Sequence, residues 1–328
     1  MRIAVVGAGA IGAWLGAALA RAGHEVALIA RGRRLEGLRR DGVRIRPAGE
    51  APYVAHPLVT DAAAEVGPVD AVLLAVKAHD QARAGAAAAA LLGPETAVVS
   101  VQNGIPWWYF HRLGGPHGGR RVEAVDPGGA VSAAFPPERA IGCVVYLGAE
   151  LAADGEVRTR PENGLVVGEP DGTDSARLRA VAAALEESGF PVRRSAGIRT
   201  DIWTKLMGNA SFNPISALTG AGLGSIARDP GTAGLVRQIM HEVVAIARAT
   251  GANPSISIEE RLAITAALGE HPTSTLQDLR AGKPLELSAL TAAPVELARL
   301  TGTPAPALEA VHALASLLAA RARPVSGV

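Results

Sequence analysis

Lys205, Asn209 and Asn213 recur every fourth residue in the segment Trp203-Thr-Lys-Leu-Met-Gly-Asn-Ala-Ser-Phe-Asn213. On a helix that spacing sets one cation and two amides on a single face. Delivering hydride to a carbonyl leaves negative charge on oxygen, and a partly desolvated ammonium beside that oxygen both stabilises the charge and donates a proton. Lysine suits this work because it can deprotonate, whereas arginine effectively cannot. Only three of the 32 basic residues are lysine (Lys77, Lys205, Lys283), so lysine has persisted here against a strong pull toward arginine. Taken without that bias, the same face would read as an exposed polar stripe.

A second constellation opens the chain. Arg2–Val6 is a short apolar run followed at once by Gly7-Ala8-Gly9-Ala10-Ile11-Gly12. A glycine turn between a strand and a helix is the context in which this spacing binds a dinucleotide. Gly7 permits the tight turn, Gly9 lets backbone approach a pyrophosphate, Gly12 allows close helix–strand packing, and the helix N-terminus favours the anion. A site for NAD usually carries an acidic residue at the end of the second strand; this chain has Ala30-Arg31, followed by Arg33 and Arg34. A cationic fork at that place pairs with a 2′-phosphate, which points to NADP(H) as cofactor. A solvated turn is the plainer reading of the same arginines. Lys77 follows Val72–Val76 and Asn103 follows Val98–Val101, so both stand at carboxyl ends of parallel strands, where ligands of such sheets bind. Singly, they would also read as a lysine reaching water and an Asn-Gly turn.

The elements that must position these groups alternate. After the glycine turn the sequence predicts a helix over Ala13–Ala22 and a strand over His24–Ala30. Further strands are predicted at Asp70–Val76 and Thr96–Val101, around an alanine-rich helix near Ala82–Leu92. Ile141–Leu147, Gly155–Thr159 and Gly164–Val167 read as antiparallel additions at the sheet edge, followed by a helix at Ser175–Ser188 and a strand at Phe190–Arg193. Strand signals then stop, and helices follow with punctuation at Asn213-Pro214, Asn253-Pro254, His271-Pro272 and Thr303-Pro304. The expectation is an α/β Rossmann-type doubly wound N-terminal domain, residues 1–195, followed by an all-α C-terminal domain, residues 196–328, for substrate binding and catalysis.

Composition narrows the class. The 328 residues carry a formal net charge of +1 and no long basic run, which argues against a nucleic-acid partner. No apolar stretch is long enough to span a bilayer, and the start reads as a strand instead of a signal peptide, so no membrane partner is expected. The single cysteine, Cys143, excludes an intramolecular disulfide and fits a reducing, cytoplasmic setting. The histidines show no metal-ligand spacing, so no metal is expected.

Taken together, the motifs resemble the ketopantoate reductase family over essentially the whole length. They comprise the glycine turn with Arg31, EGLRRDGVRI, VLLAVKAHD, VQNGI, WTKLMGNASFNPISALTG and HPTSTLQDLRAGKPLELSAL. The resemblance implies NADPH-dependent reduction of 2-dehydropantoate to (R)-pantoate in a monomer or homodimer. It implies that Lys205 is the general acid and Glu286 its carboxylate partner, and that Asn209, Asn213 and Ser274 hold substrate polar groups. Lys77 and Asn103 would contact or orient the cofactor. Without it, Ser274 reads equally as a helix cap and Glu286 as a surface glutamate. Two departures stand out: Ser288, where an acidic residue is common, and the run Trp107-Trp108-Tyr109-Phe110, an apolar lid or wall for a bulkier substrate or a helix packed under the sheet. The rival expectations are therefore a reductase of a bulkier 2-oxo acid and a non-catalytic NADP(H) sensor.

Overall fold

The computed structural model describes residues 1–322. The chain divides into two compact units, the first formed by Met1–Gln102, Pro106–Arg121 and Gly128–Ile198. The second takes in Asn103–Ile105, Val122–Pro127 and the chain from Arg199 onward. Neither short excursion carries a mark in the sequence.

The first unit is built on one sheet of ten strands: β1 Arg2–Val6, β2 Glu25–Ile29, β3 Val43–Arg46, β4 Tyr53–Ala55, β5 Leu58–Thr60, β6 Val69–Leu74, β7 Leu92–Val101, β8 Ala140–Leu151, β9 Val157–Gly168 and β10 Val192–Arg194. Its order is β4-β3-β9-β8-β7-β6-β1-β2-β5, with β10 alongside β9. The centre is parallel, Val5 pairing with Leu28 on one side and Leu73 on the other. These strands are buried on both faces, which is why their sequences are continuous apolar runs instead of alternating ones.

Two expectations need correcting. β8 and β9 do not close the sheet edge, because β3 pairs in parallel with β9 and β4 lies beyond it. The runs at Gly155–Thr159 and Gly164–Val167 belong largely to one strand, Val157–Gly168, antiparallel to β8. A register shift between Leu147 and Ala149 takes up Pro161, whose missing N–H interrupts the ladder.

The aromatic run is core. Trp107, Trp108, Tyr109 and Phe110 are at most 2% exposed and lie in turns, with the Trp108 indole donating to Ser100 Oγ at 3.0 Å and the Trp107 indole to the Phe135 carbonyl at 3.0 Å. These rings fill the first unit and form no open wall or lid.

The second unit is helical. Asn253-Pro254, His271-Pro272 and Thr303-Pro304 fall between helices as expected, but Asn213-Pro214 does not: the helix Ile198–Thr219 runs through Pro214. Proline there removes the N–H that would bond the Ala210 carbonyl. Packing overrides that loss, since Phe212, Asn213 and Ile215 are all buried. A cross-helix cap joins two further helices. The buried carboxylate of Glu242, on Pro230–Ala249, accepts from the backbone N–H groups of Ala307 (3.0 Å) and Leu308 (2.8 Å) at the start of Pro306–Ala322. Glu242→Ala strands both donors and is expected to destabilise the protein by about 2 kcal/mol. A urea midpoint that falls in Glu242→Ala and much less in Glu242→Gln checks this.

Candidate active site

In the first unit the glycine turn is closed against backbone and the Val76 side chain. Gly7 has φ +110°, and a Cβ there would lie 2.7 Å from Val76 Cγ1 and 2.8 Å from the Ala75 carbonyl. A Cβ on Gly12 would fall on the Gly7 carbonyl oxygen. Any side chain at either position would push the turn open. Gly9 differs: it is exposed, nothing lies within 4 Å of its Cβ position, and it is the N-cap of the helix Ala10–Arg21 with no side-chain cap. The N–H groups of that first turn therefore remain available to an anion. Ala8 is buried, while Ala10 and Ile11 are partly exposed.

A cavity of about 270 Å³ opens over this turn, lined among others by Gly7, Ala8, Gly9, Ala30, Arg31 and Arg34. Arg31 is exposed and caps the backbone start of the helix Gly32–Asp41 without a side-chain hydrogen bond. Arg34, one turn in, is half-buried. Its Nε donates to the Ala8 carbonyl at 3.0 Å and its Nη1 to the Gly155 carbonyl at 3.0 Å, while Nη2 is buried with no acceptor. Burial, then repulsion from Arg44, holds its pKa below the ordinary guanidinium value. A glycine cradle and an uncapped helix start fit the pyrophosphate of a dinucleotide. Lys77 stands three residues beyond β6 as the N-cap of the turn Ala78–Asp80, between the cavity-lining residues Val76 and Asp80.

In the second unit, the helix Ile198–Thr219 carries the predicted face. Throughout 201–217 every residue is buried except Lys205 and Asn209, which are partly exposed. Burial along this stretch is thus broken only at the position of the ammonium and of the first amide. Lys205 Nζ donates to Asn103 Oδ1 at 2.6 Å, a short charge-assisted bond. Asn103 is held in turn by its neighbours. Gly104 has φ +82°, a Cβ there would fall on the Ala289 carbonyl, and Ile105 N–H donates to that same carbonyl at 3.0 Å. The Asn-Gly turn is thus present, and the Asn103 side chain within it is the acceptor for Lys205.

Asn213 is buried and its Nδ2 lies 3.4 Å from Ser274 Oγ. Ser274 is exposed and is not the cap of its helix, Ser274–Arg280; Thr273 is, accepting from Leu276 N–H at 3.2 Å. Glu286 is 8% exposed, which removes the surface-glutamate reading. It lies two residues before a single π-helical turn, Ser288–Ala292, whose Ala289 carbonyl receives Ile105. The Ser288 hydroxyl is buried there without a hydrogen-bond partner.

Sequence reasoning places Asn103 with the cofactor residues without joining it to Lys205, and it gives Arg34 only a share, with Arg33, in the positive potential around Arg31. Gly155, 121 residues from Arg34, is an ordinary turn glycine in the sequence, so no signal could have paired them. Among the described residues no cluster of His, Cys, Asp and Glu could hold a metal ion, and no helix is long and apolar enough to cross a membrane.

A parallel sheet bearing this glycine turn, followed by a helical unit bearing a partly buried, amide-held lysine, defines the chain as an oxidoreductase of the dinucleotide-binding class. Residues 3–108 match the family described as ketopantoate reductase PanE/ApbA, and residues 197–319 match its C-terminal domain. A 2-dehydropantoate 2-reductase of Mesorhizobium japonicum is 44% identical over 97% of this chain and 98% of its own. A solved structure from Ralstonia solanacearum is 39% identical, covers 98% of both chains and superposes with a TM-score of 0.92. A D-mandelate dehydrogenase solved with NADH and anilino(oxo)acetate shares the fold (TM-score 0.82, 98% of this chain and 99% of that one) at 19% identity. The chain belongs to the ketopantoate reductase family.

Proposed function

We propose that the chain reduces 2-dehydropantoate to (R)-pantoate with NADPH, Lys205 serving as the general acid. The observation that carries this reading is the 2.6 Å bond from Lys205 Nζ to Asn103 Oδ1 at a break in the burial that otherwise runs through residues 201–217 of the helix. The near full-length relative with that activity supports the choice of substrate. When bound, the reduced nicotinamide supplies hydride to C2 of the 2-oxo acid. Lys205 delivers its proton to the oxygen of that carbonyl as charge gathers there, and the Asn103 amide oxygen keeps the ammonium charged and aimed until then. Glu286 is the carboxylate partner of the lysine in the site. Asn209, Asn213 and Ser274 hold the polar groups of the substrate, with Ser274 already fixed against Asn213. Gly7, Ala8, Gly9, Ala10, Ile11, Gly12 and Arg31 bind the dinucleotide, and Lys77 orients it.

The test follows NADPH consumption with ketopantoate and with 2-oxo acids that are smaller, branched or aromatic. Ketopantoate is expected to give a kcat/KM at least about tenfold above the others, the scale of discrimination that shape and a few polar contacts provide. Turnover confined to other acids would reassign the substrate. Tight NADPH binding with no turnover on any acid would make the chain a sensor.

A further inference from the structure

We propose that Arg34 is the residue that selects the phosphorylated dinucleotide, its guanidinium fixed on the glycine turn as receptor for the 2′-phosphate. This rests on the reading of NADPH as cofactor. Arg34 is anchored entirely by neutral backbone: Nε on the Ala8 carbonyl and Nη1 on the Gly155 carbonyl, each at 3.0 Å. Neither anchor carries charge. No carboxylate pairs with Arg34 among the described residues, and the nearest charged influence on it is another cation, Arg44. Nη2 is buried with nothing to accept from it.

A half-buried guanidinium with one orphan nitrogen and no counter-charge is an unfavourable arrangement that persists for a reason. Asp80, the acidic residue at the same cavity, is taken by Arg83 at 2.7 Å and does not relieve it. A phosphate dianion would supply both the missing acceptor and the missing charge, and a ribose hydroxyl would supply neither. Location fits the claim. Arg34 lies in the first turn of the helix that follows β2, beside Ala30 and Arg31 on the wall of the cavity, where the adenosine ribose of a dinucleotide on such a turn is read.

Arg31, the residue the sequence singles out, is exposed; its carbonyl accepts from Leu35 N–H at 3.3 Å but its guanidinium has no hydrogen bond among the described residues, so that side chain must be ordered when a ligand arrives. Arg34 is already in place. Pre-placed donors lose less on binding, which puts the larger share of discrimination on Arg34. Because its two anchors belong to the glycine turn and to the link between β8 and β9, an anion there also ties those two backbone segments together.

The experiment measures calorimetric Kd values for NADP+, NAD+, 2′,5′-ADP and 5′-AMP on the wild type, Arg34→Gln and Arg31→Gln. In Arg34→Gln the two ligands bearing a 2′-phosphate are expected to weaken by about tenfold or more, the scale of one lost charge-assisted contact, and NAD+ and 5′-AMP by less than about twofold. Arg31→Gln is expected to lose less than Arg34→Gln. Equal weakening of all four ligands would show that Arg34 merely shapes the turn, and unchanged 2′,5′-ADP binding would likewise overturn the proposal. Should Arg34→Gln fail to fold, Arg34→Lys is measured instead; it keeps the charge without the double anchor, and an NADP+ preference equal to the wild type's would overturn the claim. Failure of the parent reading shows separately: a wild type that binds NAD+ as tightly as NADP+ sinks the cofactor assignment before any variant is made.

Discussion

Lys205→Ala is expected to lower kcat for ketopantoate reduction by about 10²- to 10⁴-fold, the range that a positioned general acid contributes. NADPH affinity should stay within about twofold, because the glycine turn and its cavity are built from other residues. Lys205→Arg should be nearly as impaired: it keeps the charge but cannot surrender a proton near neutral pH. That pair of variants separates proton donation from mere charge stabilisation, for which arginine would substitute well. Asn103→Ala should lie between them and the wild type, since it removes the acceptor 2.6 Å from the ammonium and leaves the proton source in place. Steady-state kinetics with a parallel binding titration decide the matter. A Lys205→Ala enzyme within tenfold of wild type would mean that water or another side chain delivers the proton.

The parts of this molecule that the sequence declares are those governed by local rules. The glycine turn is legible because its constraints act within a few residues: Gly7 must take positive φ and Gly12 must make room for the Gly7 carbonyl. The Lys205 face is legible because helical periodicity is itself a local property. Other features depend on partners far along the chain. β3 and β4 are three or four residues long, contain or adjoin charged residues, and become strands only because β9 offers an edge more than a hundred residues later. The helix through Pro214 defeats a reliable local breaker because burial on every side outweighs one lost hydrogen bond. Glu286 looks like a surface residue since Gly282-Lys283-Pro284 before it is exposed; only tertiary packing reveals that burial begins at Leu285. Arg34 is the sharpest case, because its meaning lies in two carbonyls that no residue type encodes.

A glycine outside the nucleotide turn should matter as much to turnover as several polar groups. Gly104→Ala is expected to reduce kcat by on the order of 10²-fold, the loss that a misplacement of about 1 Å in a catalytic group produces. Two costs combine at this position. A side chain at φ +82° is disfavoured by about 1 kcal/mol, and its Cβ would fall on the Ala289 carbonyl, which Ile105 already uses as a hydrogen-bond acceptor. Backbone cannot yield as a flexible side chain does, so either the 103–105 segment or the π-helical turn must shift. If the segment shifts, Asn103 leaves Lys205; if the turn shifts, the movement falls two residues from Glu286. Both routes end at the proton donor and neither touches the first unit's cavity, so Kd for NADPH should be unchanged while kcat collapses. A Gly104→Ala protein with wild-type kcat would show that the Lys205–Asn103 contact tolerates displacement and that the lysine is held by something else. Equal loss of kcat and cofactor affinity would instead indicate general unfolding, which a thermal melt on the same sample distinguishes.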